Sequence, residues 1–202
     1  MMHVLMAPER AIPWLIAAFI VGYLAGSIPF GPIFARLFGL GDLRDVGSGN
    51  IGATNVLRTG NRAAAALTLL FDALKAAVPT AAFLAAWGDL AAQCAALGAF
   101  AGHCLPVWLR FRGGKGVAVW VGAALALYWP AALCALGVWL AAARLSRASA
   151  VGALAATLAA PFLFYAWGRL EAVLVMAVFA VLIWATHWQN LTRLLRGAEH
   201  RF

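Results

Sequence analysis

Three observations predict an all-α integral membrane protein with seven transmembrane helices, N-terminus outside and C-terminus cytoplasmic. The 202-residue chain is 65% hydrophobic, with a mean hydropathy of +0.89, whereas soluble domains sit near about 45–50% apolar. Its apolar residues are gathered in runs about as long as a bilayer is thick. Its lysines and arginines fall on one side once those runs are laid across a membrane.

The runs cover residues 11–34, 63–87, 90–108, 117–143, 148–167 and 170–188. Most match the roughly 20 residues a membrane helix needs. The first follows Glu9 and Arg10. It is longer than a signal peptide's apolar core and no A-x-A-like site follows it closely, so it reads as a retained span. The fourth has 27 residues with Tyr128-Trp129-Pro130 at its middle. It is either one long tilted helix or two short ones folded back at Pro130, since proline interrupts the helical ladder.

Charge placement decides between the two. One span divides the basic residues eight against six across the membrane. A hairpin collects twelve on one side: Arg36, Arg44, Arg58, Arg62, Arg110, Arg112, Lys115, Arg144, Arg147, Arg193, Arg196 and Arg201. Only Arg10 and Arg169 remain opposite, and Lys75 lies within a span. The positive-inside rule favours the hairpin. Its two arms have about 13 residues, roughly 20 Å each, less than the ~30 Å hydrocarbon layer. They must tilt little, sit among longer helices or thin the bilayer locally. Trp87, Trp129 and Trp167 then fall at the three outer turns, as an interfacial aromatic belt does. No linker or internal repeat is visible, so residues 1–202 read as a single membrane-embedded domain.

A net charge of +8 points to nucleic acid in a soluble protein. Here cytoplasmic loops account for it, and no nucleic-acid partner is expected. Cys94, Cys104 and Cys134 lie in apolar runs, odd in number and without CxxC spacing. They read as small hydrophobes, not as a disulfide or a zinc site, and neither metal nor cofactor is expected.

The same layout brings three polar stretches to one face. The first is Gly47-Ser48-Gly49-Asn50-Ile51-Gly52-Ala53-Thr54-Asn55-Val56-Leu57-Arg58. It matches G-x-G-x-x-G, but that fingerprint needs a preceding strand and a βαβ unit, and membrane helices flank it here. The physics survives: glycines let backbone N–H groups converge on an anion. Ser48, Asn50, Thr54 and Asn55 add donors, and Arg58 adds a planar charged fork. The plain alternative is a flexible loop with helix caps.

The second stretch joins Gly102-His103 to Phe111-Arg112-Gly113-Gly114-Lys115-Gly116. It is not a Walker A loop, because Leu109 and Gly116 break that motif. Gly113, Gly114, Lys115 and Gly116 nevertheless open a helix at Val117, and helix N-terminal amides with a lysine attract anions. In the third stretch, His187 and Asn190 are three apart and share a helical face, with Glu199 downstream. Asp72 and Lys75 stand i, i+3 inside the second run, where unpaired charges are expensive. They are expected to pair and to support the site.

Together these stretches resemble the bacterial acyl-phosphate:glycerol-3-phosphate acyltransferase family. The resemblance also rests on Gly26-Ser27-Ile28-Pro29-Phe30-Gly31, and it runs nearly end to end. One departure is Trp188-Gln189, where the family often has a basic and an acidic residue. The resemblance implies a seven-helix enzyme of the bacterial inner membrane with its active site at the cytoplasmic face. It implies transfer of a fatty acyl group from acyl phosphate to glycerol 3-phosphate, giving lysophosphatidic acid and phosphate.

Under this reading Ser48, Arg58, Lys115, His187 and Asn190 are catalytic. Gly47, Gly49, Asn50, Thr54, Asn55, His103, Gly113, Gly114 and Gly116 bind substrate. Asp72, Lys75 and Glu199 give support. Acyl phosphate carries a good leaving group, so no covalent acyl-enzyme is needed. The chain fits, having no G-x-S-x-G elbow. It also lacks an H-x4-D arrangement, since Trp108 follows His103 and Thr192 follows His187 at that spacing. His187 either orients a phosphate or takes the hydroxyl proton; a substrate phosphate oxygen is an equally open base. Membrane lipids surround the chain, and its oligomeric state is not legible.

Two competing classes are weighed. A small anion transporter or channel shares the helix count and the Asp72/Lys75 pair, but calls for polar residues at mid-bilayer and internal repeats. A membrane phosphotransferase acting on a nucleotide-activated lipid calls for clustered metal-binding carboxylates, and the seven acidic residues do not cluster.

Overall fold

The structure is a computed structural model that describes residues 8–199. Arg201 and the side chain of Arg10, both used above in counting charge, lie outside the described residues. Nine α-helices are described: α1 (Pro8–Gly26), α2 (Phe30–Leu37), α3 (Ala53–Leu57), α4 (Arg62–Trp87), α5 (Asp89–Cys104), α6 (Val117–Ser146), α7 (Ser149–Ala166), α8 (Leu170–Thr186) and α9 (Trp188–Leu195). No strand occurs among the described residues. Five spans are long and apolar enough to cross a membrane, and α8 with α9, bent by 62°, makes a sixth. The chain divides into two compact units, Met1–Ala126 and Leu127–Phe202.

In the first unit, α1 and α5 run parallel with their backbones touching. Gly22 and Gly26 on α1, and Gly98 and Gly102 on α5, are each four residues apart, on one helix face. A Cβ added at any of the four would fall 2.1 Å from a carbonyl oxygen of the other helix. Lipid gives helices no hydrophobic reason to associate, so close approach through small residues takes its place. Helix α4 runs the opposite way and turns into α5 at Gly88, whose φ of 83° suits glycine. Trp14, early in α1, stacks on Trp87, at the end of α4, with ring centroids 5.1 Å apart. This alternation puts residues 38–61 and residues 105–116 at the same end of the unit.

The Gly26–Gly31 segment is the joint between α1 and α2. Ser27 Oγ donates to the Tyr23 carbonyl at 2.8 Å. The Ile28 carbonyl accepts from Lys75 Nζ at 2.9 Å, tying the joint to the middle of α4. Gly31 lies against the polar loop, for a Cβ there would sit 1.9 Å from the Ile51 carbonyl oxygen. Asn61 caps α4 by accepting from the Ala64 N–H at 2.9 Å.

Helix α6 is interrupted. Tyr128 has extended torsions, φ −164° and ψ 98°, which break the i→i−4 ladder. The break comes two residues before Pro130, where the sequence places the turn. Proline then occupies the first turn of the following segment, where a missing N–H costs nothing. The segment before the break packs on α4: a Cβ at Gly122 would fall 2.0 Å from the Ala73 carbonyl oxygen.

In the second unit, the Tyr128 ring lies 5.9 Å from Trp167, and the Arg169 guanidinium sits 5.1 Å from the Tyr128 ring centroid. The start of the second α6 segment is therefore level with the α7–α8 turn. Trp184 Nε1 donates to the Leu154 carbonyl at 3.3 Å, pairing the end of α8 with the start of α7. Arg144, Arg147, His187 and α9 thus share one end of this unit, and Arg169 lies at the other.

Candidate functional site

The first polar stretch folds around Asn55. Its Oδ1 accepts from Ser48 N at 3.1 Å and Ser48 Oγ at 3.3 Å. The same oxygen accepts from Arg58 Nη1 at 3.4 Å, while Nδ2 donates to the Leu43 carbonyl at 2.8 Å. Asn55 is 2% exposed. Its carboxamide is therefore engaged by the loop. What it positions is the Ser48 hydroxyl and the Arg58 guanidinium, side by side on one acceptor. Asn50 is likewise turned inward, accepting from Gly52 N at 2.9 Å. Gly47 has φ 53°, and a Cβ there would meet Arg58 Cδ at 2.7 Å, so the arginine side chain lies across it. Gly49 also has a left-handed φ, 66°, while Thr54 is exposed.

The second stretch closes back on the end of α5. Gly113 N donates to the Cys104 carbonyl and Gly114 N to the His103 carbonyl, both at 3.0 Å. A Cβ at Gly113 would fall 2.0 Å from the His103 carbonyl oxygen, and one at Gly114 would fall 2.1 Å from His103 Nε2. At Gly116, with φ 84°, it would fall 2.1 Å from the Phe100 ring. The sequence reading attributes these glycines to close approach by a substrate; in the fold, His103 and Phe100 occupy that space. Lys115 stands half-buried between Gly114 and Gly116.

Beneath this turn lies a buried polar group. His103 is 5% exposed, and its Nδ1, without a hydrogen-bond partner, lies 3.8 Å from Asp72 Oδ1. Asp72 pairs with Lys75 at 2.5 Å, as their spacing predicts. A buried carboxylate and ammonium are tolerable inside a membrane protein because each neutralises the other. Lys75 also holds the α1–α2 joint, so one residue links that joint to the floor of the glycine turn.

The third stretch belongs to the second unit. His187 Nδ1 lies 2.8 Å from the Ile183 carbonyl oxygen. A carbonyl only accepts, so this nitrogen carries the proton, and in the neutral ring Nε2 keeps the lone pair. Asn190 Nδ2 donates to Glu199 Oε1 at 2.7 Å, and Arg193 Nε to Glu199 Oε2 at 2.9 Å. Glu199 therefore bridges Asn190 and Arg193. Arg193, which belongs to the same polar stretch in the sequence but carried no role of its own there, shares the glutamate with Asn190. Trp188 is exposed on α9 and takes no part in this bridge.

Among the described residues no group of three or more His, Cys, Asp or Glu side chains is arranged to hold a metal ion.

The family model described as "Glycerol-3-phosphate acyltransferase" matches residues 16–197. The glycerol-3-phosphate acyltransferase of Maricaulis maris is 53% identical over 186 residues, covering 92% of this chain and 86% of that one. That of Nitrobacter winogradskyi is 52% identical, covering 91% and 94%. Crystal structures of PlsY (YgiH), an integral membrane glycerol 3-phosphate acyltransferase, are similar in fold. The glycerol 3-phosphate form superposes with a TM-score of 0.86 at 35% identity, covering 96% of both chains. The lysophosphatidic acid form gives 0.85 at 32% identity, covering 93% and 95%. A match over nearly the whole length leaves one conclusion: this integral membrane protein belongs to the glycerol-3-phosphate acyltransferase family.

Proposed function

We propose that this chain transfers a fatty acyl group from acyl phosphate directly to glycerol 3-phosphate, forming 1-acyl-glycerol 3-phosphate and phosphate. The observation that carries this reading is the placement of Ser48 and Arg58 on a single acceptor, Asn55 Oδ1. A hydroxyl and a guanidinium held side by side form a preorganised phosphate site. Lys115 adds a point charge to it. The glycerol 3-phosphate hydroxyl attacks the acyl carbonyl carbon. The bond from that carbon to the phosphate oxygen breaks, and its electron pair leaves with phosphate. The hydroxyl proton passes to a phosphate oxygen of the substrates. Positioning and charge stabilisation supply the rate, with no acyl-enzyme.

The chain acts as one membrane-embedded acyltransferase domain of seven spans in a bacterial inner membrane, N-terminus outside and catalytic face cytoplasmic. The break at Tyr128 supports the count: the segment before it has eleven residues, about 16 Å, and needs a return to leave basic residues on one side.

Purified protein is to be assayed with palmitoyl phosphate, acyl-CoA and acyl carrier protein as donors, with and without EDTA. Turnover with palmitoyl phosphate alone, insensitive to EDTA, is expected. Comparable turnover with acyl-CoA overturns the donor, and an acylated protein found by mass spectrometry overturns direct transfer. Cysteines placed at Arg112 and Arg144 should label from the same side of the bilayer.

A further inference from the structure

At the loop end of the first unit two adjoining cavities share Arg44 and Leu109. The larger, about 660 Å³, is lined by Arg36, Asp42, Arg44 and the backbone turns at Gly39 and Gly41. The smaller, about 350 Å³, is lined by Trp108, Arg110 and Arg112. Four arginines from three separate segments therefore line this pair of cavities, and Asp42 is the one acidic residue among the lining residues. The Asp42 carboxylate already accepts from Arg44 N at 2.9 Å. None of the four guanidinium groups has an ion pair or side-chain hydrogen bond among the described residues. Like charges of this density repel unless an anion lies between them.

Exposed apolar side chains adjoin the lining residues in the chain: Leu37 and Phe38 lie between Arg36 and Gly39, Phe111 lies between Arg110 and Arg112, and Trp108 lines the smaller cavity itself. Arg110 and Phe111 are consecutive residues with left-handed torsions, φ 52° and 61°, which L side chains avoid. The turn is pinned by Arg110 N to the Val107 carbonyl at 3.2 Å and Phe111 N to the Pro106 carbonyl at 3.0 Å. It holds Arg110, Phe111 and Arg112 outward, all three exposed.

We infer that this arginine cleft, which borders the polar stretches through Ile51 and Arg112 but uses none of the residues assigned to acyl transfer, binds the headgroup of an anionic phospholipid from the surrounding leaflet. The guanidinium groups match a phosphate oxygen by oxygen, and basic pockets beside membrane helices take such headgroups. A soluble phosphate would leave the exposed Leu37, Trp108 and Phe111 in water. A lipid brings alkyl chains to the same place as its phosphate and covers them. The inference rests on the membrane-spanning fold and not on the acyl-donor reading.

The test is native mass spectrometry of the full-length purified protein titrated with phosphatidylglycerol and with phosphatidylcholine of the same chains. At least one phosphatidylglycerol should be retained at least fivefold more strongly than phosphatidylcholine. The exposed double variant R110Q/R112Q should bring that preference below twofold. The double variant R144Q/R147Q, which removes the same charge from the other unit, should keep it. Equal retention of the two lipids by the unaltered protein overturns the inference, as does an unchanged preference in R110Q/R112Q. An equal loss in R144Q/R147Q also overturns it, by showing that net charge alone is responsible. The readout is binding, so failure of the acyl-phosphate assay leaves it intact.

Discussion

Consider Gly114→Ala. The added Cβ falls 2.1 Å from His103 Nε2 and 2.8 Å from Cε1, whereas ordinary contact begins at 3.4 Å. Something must move by more than an ångström. The ring has little room to retreat, because His103 is buried and its other nitrogen already lies 3.8 Å from Asp72 Oδ1. Asp72 is itself held by Lys75. The turn from Gly113 to Gly116 therefore shifts, carrying Lys115. Overpacking of this kind costs about 1–3 kcal/mol. A displacement of roughly 1 Å in a positioning group costs on the order of 10²-fold in rate. We expect kcat/KM for glycerol 3-phosphate to fall about 10²-fold, chiefly through a raised KM. Initial rates against glycerol 3-phosphate at saturating palmitoyl phosphate measure this directly. The double variant His103→Ala/Gly114→Ala sharpens the test. If the ring is the obstacle, its removal makes the alanine harmless, and the double variant matches His103→Ala alone. A KM within twofold of the unaltered protein, or losses that add in the double variant, would falsify the reasoning.

Three further outcomes are expected. Lys115→Met should lower kcat by about 10²–10³-fold, the scale of losing one preorganised donor, with unchanged circular dichroism; near-normal turnover removes the lysine from the site. Asn55→Ala leaves the Leu43 carbonyl only its long bond from Val46 N, 3.4 Å, and removes the acceptor that Ser48 and Arg58 share. It should cost about 1–3 kcal/mol for the lost buried partners and most of the activity, visible as a lower Tm and lower kcat together. Asp72→Asn alone leaves Lys75 charged in a buried site and should cost about 3–5 kcal/mol. Asp72→Asn with Lys75→Met should recover part of that loss in a denaturation series, and a double variant less stable than the single contradicts the ion-pair account.

Hydropathy and charge are sums along the chain, and a bilayer reads them one segment at a time. That is why the class, the span positions and the shared end of each unit's basic residues were legible without coordinates. The i, i+3 spacing of Asp72 and Lys75 was enough to predict their pairing, because helix geometry alone sets it. Contacts between distant residues carry no such one-dimensional trace. The Ile28 carbonyl meets Lys75 across 47 positions, and Tyr23 Oη reaches the Leu105 carbonyl across 82. Nothing in the polar stretches distinguishes Asn55, which organises its loop, from Ser48 and Arg58, which it holds in place. Residue type marks these groups as polar; only packing decides which face inward and are satisfied there. The glycines show the same division. Their clustering announced that something lies close to the backbone. Tertiary structure decided that at positions 113, 114 and 116 it is His103 and Phe100, because a missing side chain records an approach but not the identity of the neighbour.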